Sequence, residues 1–431
     1  MEQSGQKPRI VVIGGGAGGL PLVTRLGRRL GKRGKATVTL VDGSGSHIWK
    51  PRFHEVATGA IDADLDAVNY LAHARQNYYR FARGWLSAVD RDAKQVVLAP
   101  VTDDQGEEVL PERRLNYDYL VLAIGSLGND FNTEGVRDHC LFLDSRPQAD
   151  LFHERFLNHC ERANFSDTPV TVAIVGGGAT GVELAAEIHH AIAVLKLYGH
   201  EQLDRSKLHV HLIEAAPRLL PALQEKLALS AEEELKKLGV QVHTNTLVQR
   251  AEADAFVTKD GERIESHLLV WAAGIKAPEI LGTLGLETNR INQLVVNDAL
   301  LTEEPSIFAI GDCCACAMDD GKNVPPRAQS AQQMALHTAA NIERLLRGEA
   351  VKPFRYRDHG SLVSLSKYSA LGNLMGNLRG GSIFVEGWLA RFMYIGLYRF
   401  HQAALYGWMR TLMLLLAGRF NRLLRPRLKL H

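Results

Sequence analysis

Short apolar runs punctuate this chain, and each stops in small or acidic residues. Ile10-Val11-Val12-Ile13 runs into Gly14-Gly15-Gly16-Ala17-Gly18-Gly19, and Val172-Ala173-Ile174-Val175 runs into Gly176-Gly177-Gly178-Ala179-Thr180-Gly181. A continuous apolar run, a glycine turn and a following helical pattern predict a buried strand, a tight turn and a helix start. Residues 37–41 form another apolar strand that ends at Asp42, and residues 210–213 form one that ends at Glu214. Two further strands, near 119–124 and 268–271, end at Ala123 to Gly125 and at Ala272-Ala273-Gly274. The same sequence of devices therefore occurs twice, as expected of an α/β fold with two Rossmann-like units, the second inserted in the first. After the insert, residues 306–310 form a strand ending in Gly311-Asp312, and a helix opens at Ala328 and runs to about Arg347.

The remaining pattern is less regular. Residues 102–112 read as a polar hairpin or loop, and 145–169 as a largely helical lead into the second unit. Residues 361–366 read as a strand, and Gly372, Gly376, Gly380 and Gly381 as a loop-rich passage. From Trp388 to Ala417 the spacing is helical. Arg391, Tyr398, Arg399, Gln402, Tyr406 and Arg410 share one arc, and Met393, Leu397, Phe400, Ala404 and Trp408 lie opposite. The longest apolar run there, 412–417, is far short of the ~20 residues that span a bilayer. Residues 388–431 contain no Asp or Glu but carry eight Arg or Lys, so this tail is expected to lie in the interface of an anionic membrane.

Charge and cysteine content narrow the picture. A formal net charge of +2 over 431 residues gives no global field for nucleic acid. The N-terminal residues are polar, so no signal peptide is expected, and five cysteines fit a reducing compartment. Cys313 and Cys316 have C-x-x-C spacing without a second such pair, so they are read as core residues and no metal is expected.

In each G-x-G-x-x-G turn, the first glycine permits the turn, the second lets the backbone approach a pyrophosphate, and the third lets helix and strand pack closely. The pyrophosphate then faces the positive end of the helix. Asp42 and Glu214 stand where an acid holds the adenosine ribose. A carboxylate at Glu214 would repel a 2′-phosphate, which favours NADH, although Arg218 nearby leaves a phosphate partner open. Two dinucleotides on one chain equip a flavoprotein that is fed by a nicotinamide. The expected cofactors are thus FAD at Gly14, Gly16, Gly18, Gly19 and Asp42, and NADH at Gly176, Gly178, Gly181 and Glu214.

Further motifs carry a resemblance to a family. They include His47-Ile48-Trp49-Lys50-Pro51, His54-Glu55-Val56-Ala57-Thr58-Gly59, Trp271 through Pro278, Pro325-Pro326-Arg327-Ala328-Gln329, and the terminal Arg425-Pro426-Arg427-Leu428-Lys429-Leu430-His431. Over almost its whole length the chain resembles the bacterial type II NADH dehydrogenases, single-subunit NADH:quinone oxidoreductases. Pro21 departs from their usual sequence, but in a first helical turn proline is tolerated.

The resemblance implies an FAD domain at 8–165 and 286–350, an NADH domain at 166–285, and a quinone and membrane region at 351–431. It implies that Asp312 holds the ribityl chain and that Ala123, Gly125, Ala273, Gly274, Ala328 and Lys50 complete the cofactor contacts. Glu183 would lie by the nicotinamide and flavin, Gln329 and Gln333 would face a quinone, and Lys367 would be a positive group near the flavin. The substrates implied are NADH and a membrane quinone, ubiquinone by this resemblance, at the entrance of a respiratory chain. The protein would be peripheral, on the cytoplasmic face of the plasma membrane, without proton pumping; a homodimer is left open. Two rivals fit less well. A sulfide:quinone oxidoreductase needs a redox cysteine, and residues 14–59 contain none. An apoptosis-inducing-factor-like binding module needs a basic surface that the near-neutral charge does not provide.

Overall fold

The computed structural model describes residues 7–203, 205–365, 369–375, 382–386, 388–424 and 428–429. Lys367, Gly376, Gly380 and Gly381 lie outside the described residues. Two compact units result: one gathers residues 1–49, 67–127 and 275–357, the other residues 50–66, 128–274 and 358–431.

Both expected fingerprint strands form, each inside a parallel sheet. In the first unit the order is Ile307–Ala309, Tyr119–Leu122, Arg9–Ile13, Thr37–Asp42, Arg80–Arg83. In the second it is Gln241–His243, Leu208–Ile213, Val170–Val175, Leu268–Trp271. A strand with neighbours on both sides and layers on both faces has no wet face, which is why these segments read as unbroken apolar runs. Ile10, Val12, Val172 and Ile174 are fully buried, and each such side chain contributes about 1.5–3 kcal/mol of burial free energy. The parallel pairing puts the strand ends in register. Val12 lies opposite Leu40 and Val121, so the turns after the three strands open on one edge.

The first fingerprint is followed by the helix Gly19–Leu26, with Pro21 in its first turn as expected. The second is followed by the longer helix Ala179–Leu197. Residues 101–110 form the expected hairpin, Val101–Thr102 against Glu108–Leu110. Arg146–Phe165 is the expected lead helix, and Ala328–Leu345 is the late helix of the first unit.

The C-terminal part corrects two expectations. Gly372 is not in a loop: it lies within the strand Ser369–Met375, between Leu362 of Ser361–Leu365 and Val385 of Ser382–Glu386. A glycine keeps its backbone N–H and C=O for the ladder, so pairing with its neighbours overrode the turn signal. The tail is also not one helix. Trp388–Tyr406 packs on this antiparallel sheet, and Trp408–Leu424 follows it, past the expected end at Ala417. Gly407 separates them at φ +80°, a backbone region that only glycine enters cheaply. The chain then returns: Leu428 is buried, and the Lys429 amide donates to the Gly59 carbonyl at 2.8 Å.

Candidate active site: two glycine-rich cradles

The two turns repeat one geometry. Gly14 and Gly176 both have positive φ, and an added Cβ would strike the backbone of Ala123 or Ala272. A Cβ on Gly19 would sit 1.8 Å from the Gly14 carbonyl oxygen, and one on Gly181 would sit 2.0 Å from that of Gly176. Gly16 and Gly178 differ from all of these, because nothing lies within 4 Å of their Cβ positions. Space is left over the backbone only at the middle glycine, where a pyrophosphate must approach. The residues present therefore fit a dinucleotide at both places.

The two acids also repeat. The Gly15 amide donates to Asp42 Oδ2 at 2.7 Å, and the Gly177 amide donates to Glu214 Oε2 at 2.6 Å. The other oxygen of each acid is held two residues on, Asp42 Oδ1 by the Ser44 amide at 2.9 Å and Glu214 Oε1 by the Ala216 amide at 2.7 Å. Each carboxylate is locked in one rotamer and keeps lone pairs for ribose hydroxyls. Arg218 is committed elsewhere: its guanidinium donates to the carbonyls of Leu223 and Pro221 at 3.0 and 3.1 Å. These two bonds hold the Arg218 side chain against the 220–223 turn.

In the first unit, Tyr70 closes the turn. Its hydroxyl donates to the Gly15 carbonyl at 2.9 Å, and burial raises its pKa well above the ordinary phenol value. Gly18 packs on Ile310 and on the Ala331 carbonyl of the late helix, whose first residues are Ala328 and Gln329. Ser126, just past Gly125, donates to Asp312 Oδ2 at 2.9 Å, and the Gln293 amide donates to the Asp312 carbonyl at 2.8 Å. Asp312 is thus oriented from two strand ends. Gln329 and Gln333 share a helix face as expected, but Gln333 is braced: it donates to the Arg357 carbonyl at 2.8 Å and accepts from the Arg357 amide at 3.0 Å. Cys313 and Cys314 are buried on the same stretch, and their Sγ atoms donate to backbone carbonyls. Burial pushes the Cys313 and Cys316 thiols up to about 11, so neither presents a thiolate.

In the second unit, Gly274 has φ +61° and lies against the Phe131 ring, and Ala273 precedes it. Trp271 Nε1 donates to the Asn129 carbonyl at 2.7 Å. Lys50 is engaged in an ion pair with Asp144 at 2.9 Å. Glu183 lies on the helix after the fingerprint and is buried. Its Oε1 accepts from the Ser364 amide at 3.0 Å, and its Oε2 lies 3.4 Å from His54 Nδ1. Burial raises the Glu183 carboxyl well above the ordinary range, and Glu55 and Glu187 push it the same way. Burial drives His54 down to about 4, aided by Arg52. Burial therefore disfavours the charged form of both partners. Burial also opposes ionisation of Glu55, but Arg52 outweighs it through bonds of 2.7 and 3.1 Å, and the net shift is downward.

Tyr70, Ser126, Gln293 and Ser364 were not among the residues expected from sequence; Tyr70 acts from a helix, Ser364 from a strand, and Ser126 and Gln293 from loops beside strand ends. His54 carried a signal, because it stands in the motif His54-Glu55.

The tail helices expose apolar side chains and bury polar ones. Phe400, Trp408, Met409, Met413 and Phe420 are all at least 60 % exposed, whereas His401, Gln402 and Thr411 are buried. No helix among the described residues is long and apolar enough to cross a membrane.

Comparison with known proteins agrees with this geometry. The pyridine nucleotide-disulphide oxidoreductase family matches residues 8–335. A type II NADH:quinone oxidoreductase of Haemophilus influenzae is 47% identical, over 98% of this chain and 99% of its own length. One from Staphylococcus aureus is 28% identical over 86% of this chain and 90% of its own. Among solved structures, NDH2 from Plasmodium falciparum in complex with NADH has a TM-score of 0.78 at 19% identity, covering 93% of this chain and 99% of its own. The sulfide:quinone oxidoreductase of Aquifex aeolicus reaches 0.72 at 20% identity, covering 93% and 92%, which shows a shared fold.

Proposed function

Because the chain belongs to the type II NADH:quinone oxidoreductases and to the pyridine nucleotide-disulphide oxidoreductase family, we propose a division of labour among its residues in oxidising NADH and reducing a quinone. The observation that carries it is the pair of open positions at Gly16 and Gly178, each beside a locked acid. FAD, when bound, supplies the hydride acceptor and the two-electron donor; the protein supplies position and electrostatics. Gly14, Gly16, Gly19 and Asp42 hold its ADP half, with Gly18, Ala123, Gly125 and Ala328 lining the same turns. Asp312, fixed by Ser126, accepts from the ribityl chain. Gly176, Gly178, Gly181 and Glu214 hold NADH, with Ala273 and Gly274 at the end of the neighbouring strand.

Burial favours the neutral form of Glu183, which in that form places a hydrogen-bond donor rather than a charge beside the reacting rings. Gln329 offers a neutral amide to a quinone carbonyl. Gln333 keeps one N–H beyond its Arg357 contact and braces the same helix. Lys50 acts through Asp144, and Lys367 is assigned by the family resemblance alone. The exposed apolar side of the two tail helices lies in the bilayer interface, with the exposed Arg410 and Arg419 toward lipid phosphates. This makes the protein peripheral, on the cytoplasmic face of the plasma membrane, with ubiquinone reaching it from the bilayer and no proton pumped.

Stopped-flow absorbance tests the reading. NADH should bleach the flavin in a first phase, and added ubiquinone should restore it in a second. Reduction without reoxidation would overturn the quinone assignment. For the tail, Leu412→Asp with Leu416→Asp should abolish co-sedimentation with anionic vesicles while short-tailed quinone is still reduced. Undiminished sedimentation would overturn the interfacial assignment.

A further inference from the structure

A basic cavity of about 640 Å³ opens in the first unit, lined by Arg29, Arg33, Lys35 and Arg347 together with one acid, Glu343. It is framed by a run in which Arg28, Arg29, Lys32, Arg33 and Lys35 follow one another with no acid among them. The local backbone explains how the cations gather. The helix after the first fingerprint widens into a π-turn at Gly27–Gly31, where Gly27 passes so close to the Asn77 carbonyl that a Cβ would lie 2.2 Å away. Such π-turns occur often at functional sites.

The internal charge balance leaves positive charge over. Glu343 pairs through Oε2 with Arg29 at 2.9 Å while its Oε1 is buried without a hydrogen-bond partner, and Arg347 pairs with Glu349. Arg33 and Lys35 have no charged partner among the described residues. Leu30 is buried behind them, and Pro8 and Leu346 add apolar walls. Planar guanidinium forks match the oxygens of a phosphate, and a neighbouring ammonium adds a point charge. The volume falls within the range of small-molecule pockets.

From this geometry we propose that the cavity is a binding site for a soluble, multiply charged phosphate compound of nucleotide size, distinct from both glycine-rich cradles. Arg33 and Lys35 contact the phosphates, and Arg29 and Arg347 set the rim. The apolar walls take the uncharged part of the ligand.

The test uses the FAD-loaded protein with saturating NAD⁺, so that both glycine-rich cradles are filled. Inorganic tripolyphosphate is titrated calorimetrically at low ionic strength. One saturable event is expected, weakened roughly tenfold or more in R33E/K35E and by added salt. NADH oxidation should be unchanged in that variant, because neither residue belongs to the cofactor sites; R33A/K35A serves if charge reversal impairs folding. Absence of binding, or binding equal in the wild type and the variants, overturns the proposal. If the variants lose only co-sedimentation with anionic vesicles and still bind tripolyphosphate, the patch reads lipid headgroups and the soluble-ligand proposal falls.

Discussion

The two cradles are built to the same plan and differ in how they are closed. In the first, Gly18, Gly19 and Leu20 are buried, and Tyr70 pins the turn from behind. In the second, the corresponding Thr180 is exposed while Gly181 and Val182 are buried; Leu219 takes the place filled by Tyr70, and the Gly177 carbonyl accepts from the Leu220 amide at 2.7 Å. Both hold an acid rotamer and both leave the middle glycine open. The difference therefore lies in what closes the turn, a buried phenol from a remote helix or a backbone amide from the next strand-end loop, and in the exposure of Thr180 where Gly18 is buried. A turn covered at Gly18 suits a cofactor that stays through many cycles; one exposed at Thr180 suits a substrate that must leave after each. One motif can thus serve as a permanent seat or as a revolving one, depending on residues outside it.

The comparison breaks most visibly at the middle glycines. Both can accept a side chain without strain on the protein, so a valine there fills only the ligand's space. Gly16→Val should yield a folded but colourless protein. Gly178→Val should remain yellow, with kcat/KM for NADH reduced on the order of a hundredfold or more. Absorbance at the flavin band and steady-state kinetics check both; a yellow Gly16→Val would show that the first turn does not seat FAD.

The acids come next. Glu214→Ala removes a charged acceptor and leaves the Gly177 amide without its partner. The kcat/KM for NADH should fall roughly 10- to 150-fold, and discrimination against NADPH should narrow because no carboxylate remains to repel the 2′-phosphate. Unchanged discrimination would move the selectivity to another residue.

Tyr70→Phe probes the pin itself. Losing one bond to a backbone carbonyl should speed FAD dissociation roughly 3- to 30-fold, measured by dilution into apoprotein trap. The KM for NADH should not change. If FAD release is unaffected, the closure of the first cradle resides in Gly18 and the late helix instead.

The smallest effect concerns the second unit, which alone carries the buried Glu183–His54 pair. The folded Glu183 carboxyl has a raised pKa, so its contribution to stability is full below pH 4.5 and declines as pH rises toward the folded value. His54 runs the other way: with a folded pKa near 4 and an ordinary value of 6.5, it costs stability as pH falls through that interval. Glu183→Gln should therefore melt above the wild type at neutral pH, with a gap that shrinks as pH falls toward 4.5. A gap independent of pH would mean that Glu183 is ionised in the folded protein.

Sequence showed the glycines and the acids because their work is local: a turn, a strand end and the first helical turn are set within a few residues. Tyr70, Ser126, Gln293 and Ser364 were invisible because parallel sheets bring together segments far apart in sequence, and no local spacing encodes that meeting. The tail was half legible. Its two arcs were readable at helical spacing, but the break needed Gly407 at positive φ, and the sheet on which the first tail helix packs was disguised by Gly372. Gln333 was placed on the right helix, while its contact with Arg357 comes from a segment with no recognisable pattern.

Lys429, bonded to Gly59 and 3.8 Å from Asp64, turns the C-terminal segment from a streamer into a closed loop. Such a loop searches a small volume. If its exposed apolar side docks on a lipid surface, as proposed above, a loop that lifts off stays at high local concentration and rebinds without a fresh diffusional search.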